Sequence, residues 1–414
     1  MKILNFGSAN IDYVYTLDHI VGIGETETSS NFEVFPGGKG LNQSIALSRA
    51  GVKVYHAGCI GKDGEFLSKI LERNGVNISY LKKTDGKNGH AVIQVNRDGE
   101  NSIFIYPGSN ETVSKEHIDN TLQNFGEGDI ILLQNEINCL KYIIEQAYKK
   151  GMCIILNPSP MNGIIHTLDL NKLSYIILNE VEAKSISRYD RPEKCLEHLI
   201  SRYPKLCIML TLGKNGCIYR DKNQSLYHPI FETVAVDTTA AGDTFTGYFV
   251  AGISQGEDLK NILRVASCAS ALAVSRRGAE PSIPEKHEVL QALTSLKTRP
   301  TDKKAEIIKE KLKKYVDENA INACLDDFAK ELGYTSIYTG VLVKNITGKS
   351  FKKHIQEKRL DLAARLLLDS DISVGEIIKQ VGYENESHFR EMFKNKYKQN
   401  PLKYRKAGGY ISDK

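Results

Sequence analysis

The 414 residues contain no tryptophan and five methionines, and no run of eighteen apolar residues occurs among them. The missing apolar run excludes a membrane-spanning helix, which needs about twenty such residues. The first residues, Met1-Lys2-Ile3-Leu4-Asn5-Phe6-Gly7, lack a signal-peptide apolar core and read as a β-strand. Eight cysteines, at 59, 139, 153, 195, 207, 217, 268 and 324, include no C-x-x-C pair. That pattern argues against zinc ligation or a disulfide framework and for reduced core thiols in a cytoplasmic protein. Neither a G-x-x-x-x-G-K-[ST] P-loop nor a G-x-G-x-x-G fingerprint is present, so a bound nucleotide must be held by other means.

What is present is a globular composition, 41% hydrophobic and 25% charged, on a chain long enough for two or three domains. Charge is uneven. From residue 300 onward there are 23 Lys and Arg against 17 Asp and Glu, whereas the rest carries 32 against 33. The surplus of positive charge in the last quarter points to an anionic polymer as its partner. Before residue 297, short strand-like runs (Lys2–Phe6, Val52–Ala57, Ile130–Gln134, Cys153–Asn157, Tyr175–Leu178, Cys207–Leu212, Gly216–Tyr219) alternate with helical patterns such as Leu41–Ala50, Glu65–Asn74 and Leu140–Lys150. This alternation predicts a doubly wound, mostly parallel α/β sheet. Two stretches, Ile11–Phe35 and Ala91–Tyr106, alternate apolar and polar residues instead and predict a small antiparallel β lid. The polar segment 298–304 breaks the pattern and is expected to link domains at 1–297 and 305–414. Beyond it the chain reads all-helical, with runs at Ala305–Glu318, Leu325–Leu332, Ser336–Asn345, Phe351–Leu368, Val374–Val381 and Ser387–Tyr397.

The most informative stretch is Asp237-Thr238-Thr239-Ala240-Ala241-Gly242-Asp243, between an apolar run and a helix-like run. Unpaired N–H groups and the positive dipole end gather at a helix N-terminus, and Ala240, Ala241 and Gly242 leave room for a phosphate to approach them. Asp243 then sets a carboxylate beside that anion hole, able to accept a proton from an attacking hydroxyl. A plain helix cap at Asp243 is the competing reading. Asn10 and Asp12 close the first strand, and Gly37-Gly38-Lys39-Gly40-Leu41-Asn42-Gln43 opens a helix with a cation and amides, a mixture suited to a polyhydroxylated ligand. Glu136 follows the strand Ile130–Gln134, and Asn179-Glu180-Val181-Glu182 follows another, offering carboxylates to Mg²⁺. The turn Thr211-Leu212-Gly213-Lys214-Asn215-Gly216 suits a nucleotide.

These motifs, in this order, resemble the ribokinase-like (PfkB) family of carbohydrate kinases over residues 1 to about 295. The resemblance implies ATP-dependent phosphorylation of a sugar, ribose or a close relative. It assigns sugar binding to Asn10, Asp12, Gly38, Lys39, Gly40, Asn42 and Glu136, the base to Asp243, and the anion hole to Ala240, Ala241 and Gly242. ATP contacts fall on Asn179, Thr211, Gly213, Gly216, Gly242 and Ser267, and Mg²⁺ ordering on Glu182. A monovalent cation site (K⁺) maps to Asp237, Thr239, Ala273, Arg276, Gly278 and Ser282. The chain departs from the family pattern at Ser44, where alanine is usual, and at Leu178, Thr246 and Ser267, the last where a larger polar residue often meets adenine.

In the tail, Ser373-Val374-Gly375-Glu376 fits a capping box, Gly382 ends that helix, and a second helix follows with Phe389, Met392, Phe393 and Tyr397 on one face. An earlier copy runs through Leu325–Leu332, Gly333 and Ser336–Asn345. With Gly382-Tyr383-Glu384-Asn385-Glu386-Ser387-His388-Phe389, this pattern resembles the AraC-family DNA-binding domain over about residues 305–406. The resemblance implies a double-stranded DNA operator as partner, touched by Ser387, His388, Arg390 and Lys394 and by Ser336, Thr339 and Lys344 of the first copy. Gly340 and Val341 stand there in place of a helix former and an arginine. A homodimer is expected. Two rival readings fit the same residues: a transcription regulator whose α/β domain only senses sugar or nucleotide, and a kinase whose helical tail serves dimerisation.

Overall fold

A computed structural model describes residues 1–296, 302–332, 334 and 336–408. The chain divides into two compact units, Met1–Arg299 and Pro300–Lys414. Of the expected linker 298–304, residues 298–301 lie outside the described residues, and a helix has already begun at Asp302.

The first unit contains thirteen strands among its described residues: β1 (Ile3–Phe6), β2 (Asn10–Thr16), β3 (Asn31–Gly37), β4 (Val54–Ile60), β5 (Asn77–Lys83), β6 (Gly89–Val95), β7 (Asn101–Tyr106), β8 (Ile130–Gln134), β9 (Cys153–Asn157), β10 (Tyr175–Asn179), β11 (Cys207–Thr211), β12 (Cys217–Arg220) and β13 (Ser225–His228). Nine form one sheet in the order β13-β12-β11-β10-β9-β8-β1-β4-β5. Every neighbouring pair is parallel except β11–β12 and β12–β13. Central strands such as β8 are buried along their whole length, as a sheet covered on both faces requires. Its covering helices include α1 (Lys39–Arg49), α2 (Glu65–Arg73), α3 (Lys115–Leu122), α4 (Leu140–Lys149), α5 (Glu180–Ser187), α6 (Pro192–Arg202), α7 (Ala241–Ser254), α8 (Leu259–Val274) and α9 (Lys286–Ser295). In α2, Leu67, Ile70 and Leu71 share the buried stripe that 3.6-residue periodicity dictates. A Cβ on Gly247 of α7 would overlap Ala46 of α1, so these two helices meet more closely than side chains allow.

The lid is a separate four-stranded sheet, β3-β2-β6-β7. Its two outer pairings are antiparallel, as expected, and its central β2–β6 pairing is parallel. That central pairing joins strands eighty residues apart, which local alternation cannot reveal. Phe32, Val34, Ile103, Phe104, Ile105 and Tyr106 of the lid are each about half exposed.

The second unit has seven helices among its described residues: α10 (Asp302–Asn319), α11 (Leu325–Leu332), α12 (Ser336–Thr347), α13 (Phe351–Asp369), α14 (Val374–Gln380), α15 (Glu386–Tyr397) and α16 (Pro401–Lys406). Two small cores form around them. One joins Leu312, Val316, Phe328, Val343, Phe351 and Ile355; the other joins Leu360, Ala363, Ile377, Phe389, Phe393 and Tyr404. The long α13 contributes to both. The expected capping box is present at α14, where Ser373 and Glu376 exchange side-chain to backbone hydrogen bonds.

Candidate functional site

β1 lies between β4 and β8, so the chain leaves it toward opposite edges of the sheet, and ligands of such sheets bind at the carboxyl ends of the strands there. Three chain segments converge at this point. Ser8 and Asn10 follow β1, Glu136 follows β8, and the glycine-rich turn enters α1. Gly38, at φ 89°, adopts a backbone conformation that favours glycine, and a Cβ on Gly40 would overlap the Ser8 backbone. The Lys39 N–H donates to Glu136 Oε2 at 2.8 Å, and the Ser8 hydroxyl donates to the same oxygen. Burial raises the Glu136 carboxyl, and the Lys39 ammonium and Ser8 draw it partly back. Asp12, on the lid strand β2, is raised to about 7 by burial first and then by the Glu136 and Asp243 carboxylates.

Asp243 stands in the first turn of α7 and is buried, 6% exposed. It does not cap the helix. The residue before α7 is Ala240, in the left-handed region at φ 57°, and no side chain caps this end; the Ala241 N–H donates to the Thr238 carbonyl at 3.3 Å, and the Gly242 and Asp243 N–H groups are left to a ligand. The carboxylate turns instead toward α1, accepting from Asn42 Nδ2 at 3.1 Å and from Gln43 Nε2 at 2.8 Å. Its charge is the largest influence raising the Lys39 ammonium, so carboxylate and cation face one small volume. Asn10, Asp12, Gly38, Lys39, Gly40, Asn42, Glu136 and Asp243 are thus gathered at one place, drawn from β2, α1, the end of β8 and α7.

Beside the α7 N-terminus opens a cavity of about 410 Å³. Thr211, Gly213, Gly216, Ala241, Gly242 and Ser267 line it, with Phe231, Phe245 and Val274 as apolar walls. Of the residues expected to contact ATP, only Asn179 is absent from this lining. It caps α5, accepting from the Glu182 N–H at 2.9 Å while its own N–H donates to Glu182 Oε2 at 3.0 Å. Glu182 is buried, and its charge also reaches Lys39. In the neighbouring loop, Asp237 accepts from the N–H groups of Thr239 and Gly278, both at 2.9 Å. Burial works against ionisation of Asp237, yet these bonds hold its carboxyl below the usual range. Ala273 and Ser282 are buried, and the Arg276 guanidinium is turned to Glu288 at 2.7 Å, leaving its backbone rather than its side chain for a cation.

In the second unit Ser387, His388, Arg390 and Lys394 are all exposed along α15. Asn385 caps that helix by accepting from the His388 N–H at 2.9 Å. The first helix pair differs from expectation. Lys344 is exposed, but the Ser336 hydroxyl is engaged by Asp326, and Thr339 is fully buried and cannot reach a duplex. The helical period explains the correction, since Thr339 shares its face with Leu342 and Val343, both in the interior. A Cβ on Gly340 would sit 3.3 Å from Leu325, so this glycine also faces inward.

Several residues of the site were not singled out from the sequence. Asn110 donates to Asn10 Oδ1 at 2.6 Å, and Asn88 donates to the Ala9 carbonyl at 2.8 Å. Gln134 and Asn5 extend the motif residue Gln43 into a buried amide chain behind Asp243. The available signal was a polar residue inside a buried apolar strand, Gln134 in β8 and Asn5 in β1.

A phosphate-ready helix N-terminus with a carboxylate beside it, a polar sugar-sized site on one side and a nucleotide-sized cavity on the other define an ATP-dependent sugar kinase. Comparison with known proteins agrees. Residues 1–286 match the pfkB family carbohydrate kinases, and residues 328–407 match a helix-turn-helix domain of AraC type. Ribokinase of Bacillus subtilis is 31% identical over 295 residues, covering 70% of this chain and 98% of that protein. The crystal structure of Cryptococcus neoformans ribokinase with ADP superposes with a TM-score of 0.63 at 32% identity, covering 70% of this chain and 99% of that one. Arabidopsis thaliana ribokinase complexed with ribose and ATP gives a TM-score of 0.64 at 28% identity, covering 70% and 98%. The chain belongs to the pfkB family of carbohydrate kinases and carries a C-terminal helix-turn-helix domain.

Proposed function

We propose that the protein transfers the γ-phosphate of ATP to the primary hydroxyl of D-ribose, giving D-ribose 5-phosphate, and that its C-terminal domain binds a DNA operator. The observation that carries the first half is the placement of Asp243, buried between the Asn42–Lys39 side and the nucleotide cavity at an uncapped helix N-terminus. Ribose would be held by Asn10, Asp12, Gly38, Lys39, Gly40 and Asn42, with Glu136 oriented by Ser8 and by the Lys39 N–H. Asp243 would accept the hydroxyl proton as the oxygen attacks phosphorus in line, and the anion hole of Ala240, Ala241 and Gly242 would meet the charge that spreads over the transferring group. Mg²⁺ bound with ATP supplies charge neutralisation at the phosphate oxygens, and the carboxylate of Glu182 would order it. The ionised Asp237, with Thr239, Ala273, Arg276, Gly278 and Ser282, would hold K⁺ through oxygen donors. The half-exposed apolar face of the lid supports a homodimer joined through that sheet. The domains are assigned to 1–297 and to a helical unit that starts by Asp302, ahead of the expected 305.

ATP turnover across a panel led by D-ribose and 2-deoxy-D-ribose, with Asp243→Asn in parallel, tests this. Turnover on ribose with a loss of about 10²- to 10⁴-fold in the variant is the expected result. A folded protein that turns over no sugar, yet changes DNA affinity with ligand, would make the first domain a sensor.

A further inference from the structure

Behind Asp243 runs an unbroken line of buried side-chain hydrogen bonds. Gln43 has two amide protons, and both are committed: one to Asp243 Oδ1 at 2.8 Å, the other to Asn157 Oδ1 at 3.1 Å. Its carbonyl oxygen accepts from Gln134 Nε2 at 2.7 Å. Gln134 gives its other proton to Asn5 Oδ1 at 2.9 Å, and Asn5 donates to the Ser44 hydroxyl at 2.8 Å and to the Gly40 carbonyl at 2.7 Å. Ser44 meets His56 Nδ1 at 2.8 Å. Gln43, Gln134, Asn5, Ser44 and His56 are all fully buried. Each amide is oriented by the next, and an inverted Gln43 would set its oxygen against the Asp243 carboxylate and its protons against those of Gln134.

Resting on the assignment of Asp243 as the base, we propose that Gln43 is a positioning residue for this kinase: it fixes the rotamer of Asp243 by donating to Oδ1, and the Gln134–Asn5–Ser44–His56 chain fixes the amide of Gln43. Asn42 holds the other oxygen but sits on the sugar side and shares its donors with substrate. Gln43 is the donor that no substrate competes for. The line ends in a neutral group, because burial pushes His56 down to about 4 and keeps its ring uncharged at working pH. No formal charge lies along the line behind the carboxylate; the charged groups facing Asp243 from its open side are Lys39, Glu136 and Asp12.

The test uses the full chain with ribose and ATP, and compares Gln43→Glu, Gln43→Met and Asp243→Asn, each checked for folding by its thermal melt. Gln43→Glu keeps the shape but sets a second carboxylate where the donor was, so ionisation of the pair is opposed. The acid limb of the kcat–pH profile should move upward by about one pH unit or more. Gln43→Met removes the donor without adding charge and should lower kcat about 10- to 100-fold while the KM for ATP stays within about two-fold. If Asp243→Asn collapses turnover while both Gln43 variants keep the wild-type kcat and acid limb, the positioning role is overturned. Retained turnover in Asp243→Asn removes the base assignment itself, and the Gln43 role with it. Should Gln43→Glu not fold, the kcat and KM of Gln43→Met decide.

Discussion

Asp12 is the residue whose chemistry makes the most direct statement about solution behaviour. Burial, with Glu136 and Asp243 nearby, raises it to about 7, so near neutral pH a substantial fraction carries a proton. A sugar hydroxyl that donates to this carboxylate favours its ionised form. Binding therefore lowers its proton affinity, releases a proton below pH 7, and strengthens as pH rises from about 6 to 8. Calorimetry of ribose binding at pH 6.5, in two buffers of different ionisation enthalpy, should show proton release that disappears in Asp12→Asn. Equal enthalpies in the two buffers would remove Asp12 from the sugar site. At this scale the sequence was readable wherever chemistry is written as a local motif, as at Gly38 to Gln43 and Asp237 to Asp243. It was not readable where partners are distant. The bond from Gln43 to Asp243 spans 200 residues, and that from Gln134 to Gln43 spans 91, so no spacing rule reports them.

Among elements, those with strong periodicity and end signals were legible to within a residue or so. The run Leu325–Leu332 is helical over those same residues, and Ser373 with Glu376 starts α14 as its capping box predicts. Short strands with mixed exposure, such as β5 and β13, carry no such signal, and the parallel β2–β6 pairing follows from topology alone. The face of a helix is harder to read than its existence, as Thr339 shows. The resemblance assigned it a DNA contact, but the period with Leu342 and Val343 places it in the core. This matters for recognition, because Ser387, His388, Arg390 and Lys394 are exposed along α15, while of the α12 residues expected to touch DNA only Lys344 is exposed. Arg390→Ala in α15 should weaken operator binding by about 5- to 150-fold, a base contact of Arg being worth about 1–3 kcal/mol. Lys344→Ala in α12 should weaken all duplexes alike and reduce the slope of log K against log salt by about one. Titrations on operator and unrelated duplex at several salt concentrations separate the two. Equal loss of sequence discrimination in both variants would mean that α12 reads bases as well.

At the scale of the whole molecule, the two units are built on different principles. The first buries apolar side chains on both faces of a nine-stranded sheet, while the second divides its burial between two small cores that share α13. The first unit spans 98% of the length of the Bacillus subtilis ribokinase, a protein that extends no further to match the helical unit. All residues assigned to sugar, ATP and cation also lie before residue 283. A protein ending at Arg299 should therefore keep kcat and the KM values for ribose and ATP within about two-fold of the full chain. The same truncation should abolish salt-dependent duplex binding, because the positive surplus lies beyond residue 300. Reciprocity then makes coupling measurable in either direction: if ribose and nucleotide change operator affinity by some factor, operator DNA must change their affinity by the same factor. A truncated protein with a many-fold altered KM, in the absence of DNA, would show that the helical unit acts on the kinase site directly, and binding constants measured with and without operator would then give the size of that effect.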